Sequence, residues 1–272
     1  MTSSQPVALV TGASSGVGRA TAAALAARGH RVFGTSRNPS GDATPGVEMV
    51  PLDVRDDASV AACIAAVTAR AGRLDLLVNN AGFEQAGALE ELSLEEARAQ
   101  FETNFFGVVR MVKEVLPIMR GQRSGRIINL SSLTGLAAVP FMGMYSASKF
   151  AVDGYTEALR LEVSSLGILV SQVEPGWLHT PMMGNRKGPG RTIADYDAVR
   201  ARALAAVRAA EEKGPGPELV AETIVRNAAS RRPRLRYLVG GQARFVVALK
   251  RFTPEAAFER GVRSTFRLDR KS

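Results

Sequence analysis

Thr11-Gly12-Ala13-Ser14-Ser15-Gly16-Val17-Gly18 follows a short apolar run, Pro6-Val7-Ala8-Leu9-Val10, and precedes an Ala-rich segment that continues to about Arg28. The order is strand, glycine-rich turn, helix. That context makes a glycine motif informative, because the glycines let the backbone approach a pyrophosphate closely. The helix start behind them offers N–H groups that no helical carbonyl accepts, which suits an anion.

The pattern then repeats outward. A second strand is expected at Arg31 to Thr35, inside the span of one βαβ unit. Where a unit of this kind that binds NAD carries an acidic residue for the ribose hydroxyls, this chain has Thr35-Ser36-Arg37. A guanidinium can pair with a 2′-phosphate and a hydroxyl can donate to it, so the expected cofactor is NADP(H). Asn38 to Gly46 reads as a polar loop, and Val47 to Leu52 as a third strand ending in Asp53-Val54. A helix over about Asp56 to Ala71 and a strand at Leu74 to Val78 follow, leading into Asn79-Asn80-Ala81-Gly82. Ser93-Leu94-Glu95-Glu96 has the form of a capping box. A long helical region at about 101–120 contains Asn104. Gly125 to Ser131 is an Ile/Leu-rich strand that delivers Ser132, and Ile168 to Val173 is another, followed by Glu174-Pro175-Gly176. Near-continuous apolar strands alternating with helices predict an α/β, Rossmann-type, doubly wound parallel sheet of about seven strands. In such sheets ligands lie beyond the carboxyl ends of the strands. Gly12 to Gly18, Arg37, Asp53, Asn80, Ser132 and Pro175-Gly176 all follow strand ends and should share one rim.

Within a helix expected at 144–165, Tyr145 and Lys149 are one turn apart. An ammonium beside a phenol favours the phenolate and should lower the tyrosine pKa from about 10. A phenol nearer neutrality can give or take a proton at a substrate oxygen.

Together, Thr11 to Gly18, Asp53-Val54, Asn79 to Gly82, Asn104, Ser132, Tyr145-x-x-x-Lys149 and Pro175-Gly176 with Thr180 resemble the short-chain dehydrogenase/reductase family, in its single-domain branch, over about residues 5–240. The resemblance implies an oxidoreductase in which Tyr145 is the acid/base. Lys149 would tune it and bind the nicotinamide ribose, and Ser132 would hold the substrate oxygen. Ser132 is preferred to Ser131 by its 13-residue spacing from Tyr145. Asn104 would hold a relay water. Gly12, Ser14, Ser15, Gly16, Val17 and Gly18 would line the pyrophosphate. Ser36, Arg37, Asp53 and Val54 would take the adenosine end, with Asn80, Ala81 and Gly82 beside it. Tyr145, Lys149, Pro175, Gly176, Leu178 and Thr180 would flank the nicotinamide. A homodimer or homotetramer built through the helices near 101–120 and 144–165 is implied as well. A sensor or regulator that keeps the fold without turnover is the rival reading.

Trp177, Met182 and Met183, with Phe83, Phe141 and Met142, suggest an apolar wall for a lipophilic ketone, aldehyde or secondary alcohol. Gly184, Gly188 and Gly190 suggest a mobile lid over about 177–213 on a catalytic domain of residues 1–241. Arg236-Tyr237-Leu238-Val239 gives a weak likeness to hydroxysteroid and retinol dehydrogenases. Residues 242–272 form an extension in which Phe258, Val262 and Phe266 step by four between Arg260, Arg263, Arg267 and Arg270. Such a helix packs on its own domain or lies on an anionic membrane surface.

Composition bounds the rest. The 272 residues carry a net charge of +9, and residues 231–272 hold 12 Lys+Arg against 3 Asp+Glu, which accounts for all of it. The remaining 23 basic and 23 acidic residues cancel, which argues against a nucleic-acid-binding body. A single cysteine, Cys63, permits no internal disulfide, and a cytoplasmic location is expected. No metal site is expected.

Overall fold

The computed structural model describes residues 5–39, 44–181, 184 and 186–269. Seven parallel strands form one sheet: β1 (Val7–Val10), β2 (Arg31–Ser36), β3 (Val47–Pro51), β4 (Leu76–Asn79), β5 (Gly125–Leu130), β6 (Ile168–Pro175) and β7 (Arg236–Val239). Their spatial order is β3-β2-β1-β4-β5-β6-β7. The chain winds outward from β1 to one edge, returns, and winds from β4 to the other edge. The direction changes between β1 and β4, where Leu9 pairs with both Phe33 and Leu77.

Alternation along the strands sends side chains to opposite faces. Leu9, Phe33, Leu77, Ile127 and Val170 pack with α2 (Asp57–Ala71), α4 (Gly107–Gln122) and α5 (Gly143–Glu162). Their neighbours Ala8, Val10, Val32, Val78, Ile128 and Val173 pack with α1 (Gly16–Ala26) and α7 (Glu218–Ala229) on the other side. Both faces are therefore covered, and β1 and β4 are buried throughout. Each large side chain so buried stabilises the fold by about 1.5–3 kcal/mol.

Local chemistry sets the element ends. The Asp56 side chain accepts from Ala58 N at the start of α2, and Gly72 closes that helix at φ 70°. Both bonds of the expected capping box form where Ser93 and Glu96 start α3 (Leu94–Phe101). Between α3 and α4 the helix loosens into one π-helical turn, Glu102–Phe106, with Asn104 inside it. The chain ends in α6 (Ala194–Glu212), then α7, β7, α8 (Gly241–Phe252) and α9 (Glu255–Thr265).

The basic extension lies against the body. Phe266 is buried and Val262 half-buried, in a third cluster shared with Met142, Tyr145, Ala203 and Val207. Lys250 Nζ donates to Leu136 O at 2.5 Å. Arg260, Arg263 and Arg267 face solvent, and Arg270 lies outside the described residues.

Candidate active site

A cavity of about 680 Å³ runs along the carboxyl rim of the sheet. Of the residues singled out in the sequence, Gly12, Ser14 to Val17, Ser36, Arg37, Asp53, Val54, Asn80 to Phe83, Asn104, Ser132, Met142, Tyr145, Lys149, Pro175 to Leu178 and Thr180 line it.

The reactive end is built by three elements. Tyr145 and Lys149 stand on the first turns of α5, 7% and 6% exposed. The Lys149 ammonium donates to Leu130 O at 2.8 Å, which ties the helix to the end of β5. Just past β5, Ser132 hydrogen-bonds the Tyr145 phenol and accepts from Thr134 N at 3.2 Å. Ser131 turns the other way, donating to Asp153, so the two adjacent hydroxyls have separate partners. Asn104 holds Phe83 from both sides, accepting from its N–H and donating to its carbonyl, each at 3.0 Å. Its Nδ2 also lies 3.3 Å from Ser148 Oγ. The π turn re-aims this side chain toward the strand ends, a device often found at functional sites.

The electrostatics correct one expectation. The phenol pKa is raised, first by burial and next by the Glu84 carboxylate, against a smaller lowering by the Ser132 bond and Arg186. The lysine does not dominate because its ammonium is turned to Leu130 O and lies 5.8 Å from the ring centroid. Burial also pushes Lys149 down to about 8, opposed by Asp153 and Glu84.

The other end tests whether the residues fit a nicotinamide dinucleotide. Gly12 and Gly16 hold φ of +67° and +52°, conformations that glycine adopts without strain. No side chain caps the start of α1, where Ser15, Gly16 and Val17 line the cavity. The hydroxyls of Ser36 and Thr134 are buried without a hydrogen-bond partner among the described residues, and both residues line the cavity. Arg37 lies beside Ser36. The Asp53 carboxylate is held at about 2 mainly by the Arg55 guanidinium, which bonds it at 2.9 and 2.5 Å. Phosphate donors lie at the α1 end, the spare Ser36 hydroxyl and the Arg37 guanidinium at the adenosine end, and the spare Thr134 hydroxyl beside Ser132 at the reactive end, so the set fits. Asn80 is also a clamp, donating to Thr11 O at 2.8 Å and Gly12 O at 3.1 Å.

Two expected site residues lie elsewhere. Gly18 does not reach the cavity; a Cβ there would sit 2.1 Å from Gly12 O, so its function is close helix-to-turn packing. Phe141 does not line it either. Its backbone takes φ +61°, and its ring packs edge-on against Tyr196 at 6.4 Å. Met182 and Met183 lie outside the described residues. The expected lid is tethered: Lys187 N bonds Glu84 O, Ala86 N bonds Lys187 O, and Ile193 N and Arg200 bond Glu91.

Arg55, Glu84, Lys187 and Glu211 line the cavity without having been picked out in the sequence. Arg55 stands two residues past Asp53 and was within reach of a motif reading. Glu84 and Glu211 are separated by more than a hundred residues, and only the fold brings them to one guanidinium, that of Arg186.

The model of the family described as short chain dehydrogenase matches residues 6–189. The chain belongs to the short-chain dehydrogenase/reductase family. Over 236 residues it is 44% identical to a 3-ketodihydrosphingosine reductase of Bacteroides thetaiotaomicron, covering 86% of this chain and 87% of that one. A short chain dehydrogenase/reductase of Burkholderia phymatum in complex with NAD superposes with a TM-score of 0.79 at 30% identity, covering 91% of this chain and 93% of its own. A single-substitution variant of actinorhodin polyketide ketoreductase with NADPH gives 0.76 at 34%, covering 88% and 97%. The protein is thus an oxidoreductase of a family that works with a nicotinamide cofactor.

Proposed function

We propose that this short-chain dehydrogenase/reductase is an NADP(H)-dependent reductase of lipophilic ketones and aldehydes, able to run in reverse on secondary alcohols. The observation that carries the reading is the meeting of Tyr145, Ser132, Lys149 and Asn104 in one cavity whose far end holds Ser36 and Arg37. Ser36 and Arg37 would take the 2′-phosphate, Gly12 to Val17 the pyrophosphate, and Lys149 and Thr180 the nicotinamide side. The nicotinamide, when bound, supplies the hydride.

Everything else is the work of the chain. Hydride arrival at a carbonyl carbon builds negative charge on its oxygen. Ser132 and Tyr145 place two hydroxyls to bond that oxygen, and Tyr145 then gives it a proton. A phenol held up in pKa stays protonated at neutral pH, as a proton donor must. Asn104 and the Leu130 carbonyl hold the backbone around Phe83 and the ammonium of Lys149 in register. Met142, Trp177, Leu178 and Phe83 give the cavity an apolar wall.

The rival, a binding-only regulator, has no use for the complete set of four side chains. The decisive experiment is oxidation of NADPH and of NADH against a panel of long-chain ketones and aldehydes, with 3-ketodihydrosphingosine, retinal and steroid ketones included. Absence of turnover with every member, while NADPH still binds by titration, refutes the proposal.

Three further features belong to this reading. Exposed Phe106, Phe150 and Leu161, at 45, 42 and 76%, support subunit pairing through the π turn and α5, which sedimentation tests. Exposed Phe245 and Phe252 beside Arg244, Lys250 and Arg251 support weak contact of α8 with an anionic membrane surface. Loss of vesicle co-sedimentation in F245S/F252S is the expected result. A cytoplasmic location suits the buried free thiol of Cys63, and fractionation of the source cells checks it.

A further inference from the structure

Glu84 follows the Asn80-Ala81-Gly82 turn, Arg186 lies beyond β6, and Glu211 is in the last turn of α6. Their side chains are 11, 11 and 6% exposed. Arg186 Nε donates to Glu84 Oε2 at 2.9 Å, and a terminal nitrogen of the same guanidinium lies 2.7 Å from that oxygen and donates to Glu211 Oε1. Glu211 Oε2 is left: it is buried, with no hydrogen-bond partner among the described residues. Both carboxylate residues line the cavity that holds Tyr145 and Ser132.

One guanidinium serves two buried carboxylates, and the Lys149 ammonium also acts on Glu84, so Glu211 relies chiefly on Arg186 for a cation. Burial raises the pKa of both glutamates, so the environment disfavours their charged forms. Among the described residues, the other cations nearby give Glu211 Oε2 no donor. Lys149 is bound to Leu130 O, the Lys187 ammonium sits 4.7 Å over the Phe83 ring, and Arg208 acts on Glu211 only as the weakest of its influences. Both carboxylates also act on the Tyr145 phenol, which places them within electrostatic reach of the oxygen that would protonate a carbonyl.

We infer that the Glu84–Arg186–Glu211 cluster is a subsite for a cationic amine on the substrate, so that the ketone reduced is a lipophilic amino ketone whose ammonium bonds Glu211 Oε2. This rests on the reductase reading above and names its substrate class. An ammonium donates where Glu211 Oε2 lacks a donor and offsets a carboxylate charge that burial disfavours. Met142, Trp177 and Leu178 offer the apolar surface for the rest of the molecule.

The test compares 3-ketodihydrosphingosine, its N-acetyl derivative and the matched ketone lacking the amine, with NADPH. The amine should raise kcat/KM over both neutral ketones by about 10- to 100-fold, the range of a charged hydrogen bond. Glu211→Gln, which keeps the shape, should bring the ratio between amine and neutral ketone close to one, and Glu84→Gln should lower it. A wild-type ratio of one or below, or a ratio that Glu211→Gln leaves unchanged, overturns the inference. In that case turnover of the neutral ketones still upholds the reductase reading, whereas turnover of no ketone refutes that reading. The subsite has a readout without turnover: with NADPH present, dodecylamine should raise Tm more than dodecanol does. Equal shifts also overturn it. The wild-type comparisons need no variant to fold.

Discussion

Replacing Arg37 by Asp should invert the cofactor preference. A guanidinium-to-phosphate hydrogen bond contributes about 1.5–3 kcal/mol net. With each 1.4 kcal/mol a factor of ten, its loss lowers kcat/KM for NADPH by about 10- to 150-fold. The new carboxylate repels the 2′-phosphate and accepts from the ribose hydroxyls of NADH, so the NADPH:NADH ratio should move by about 100- to 1000-fold in all. The neighbouring guanidinium does not compensate. Arg55 is engaged with Asp53 at 2.5 Å, and a carboxyl held at about 2 stays ionised through the neutral range. Arg55→Ala should therefore change the ratio less than Arg37→Asp does. Initial rates with each cofactor and one fixed ketone measure both. A ratio that moves less than about threefold would refute the assignment of Ser36 and Arg37 to the phosphate, since even a weak charged contact exceeds that.

Three other outcomes are expected. Tyr145→Phe removes the proton donor and should lower kcat by about 100- to 10,000-fold, while NADPH still binds with little change by fluorescence titration. Gly18→Ala puts a methyl 2.1 Å from the Gly12 carbonyl oxygen and 2.8 Å from its carbon, both backbone atoms, so the turn must shift. Calorimetry should show a loss of about 1–3 kcal/mol, with weaker dinucleotide binding. Glu174 has its pKa raised to about 7, chiefly by burial and then by Asp153. A carboxyl raised in the fold binds more protons there than in the unfolded chain, so stability falls as pH rises from its ordinary value toward about 7 and levels off above. Denaturant titrations of Glu174→Gln should show that slope flattened. An unchanged slope would assign it to other groups.

The fold was readable because its signals are local and repeated. Each buried strand is a short apolar run, each ends in residues with turn or ligand chemistry, and the alternation with helices leaves few topologies. The cofactor rim followed from the same logic, since position after a strand end is itself a sequence property. Gly18 shows the limit. It shares the motif with Gly12 and Gly16, yet it is required by the carbonyl of Gly12 and the amide of Asn80 packed against it. Whether a motif glycine faces ligand or protein is decided by a contact across the sheet. Phe141 fails for a related reason: its left-handed backbone turns the ring onto Tyr196 of α6, a partner more than fifty residues away.

The charge state of the site was less legible than its membership. Spacing puts Tyr145 and Lys149 on one helix face, and a lone ammonium beside a phenol would lower its pKa. Spacing carries no information about burial, which is the largest influence on both groups. Desolvation opposes charge on each, and the lysine spends its ammonium on a strand-end carbonyl. The carboxylates that act on the phenol, Glu84 and Glu211, come from a loop and a helix end with no motif between them. A motif therefore reports which groups meet, and the assembled interior decides which protonation state they hold. The same reasoning explains why spacing says little about the substrate. The acid/base pair lies within five residues, whereas Glu84, Arg186 and Glu211 meet only in the assembled fold, with one Glu211 oxygen left unpartnered among the described residues.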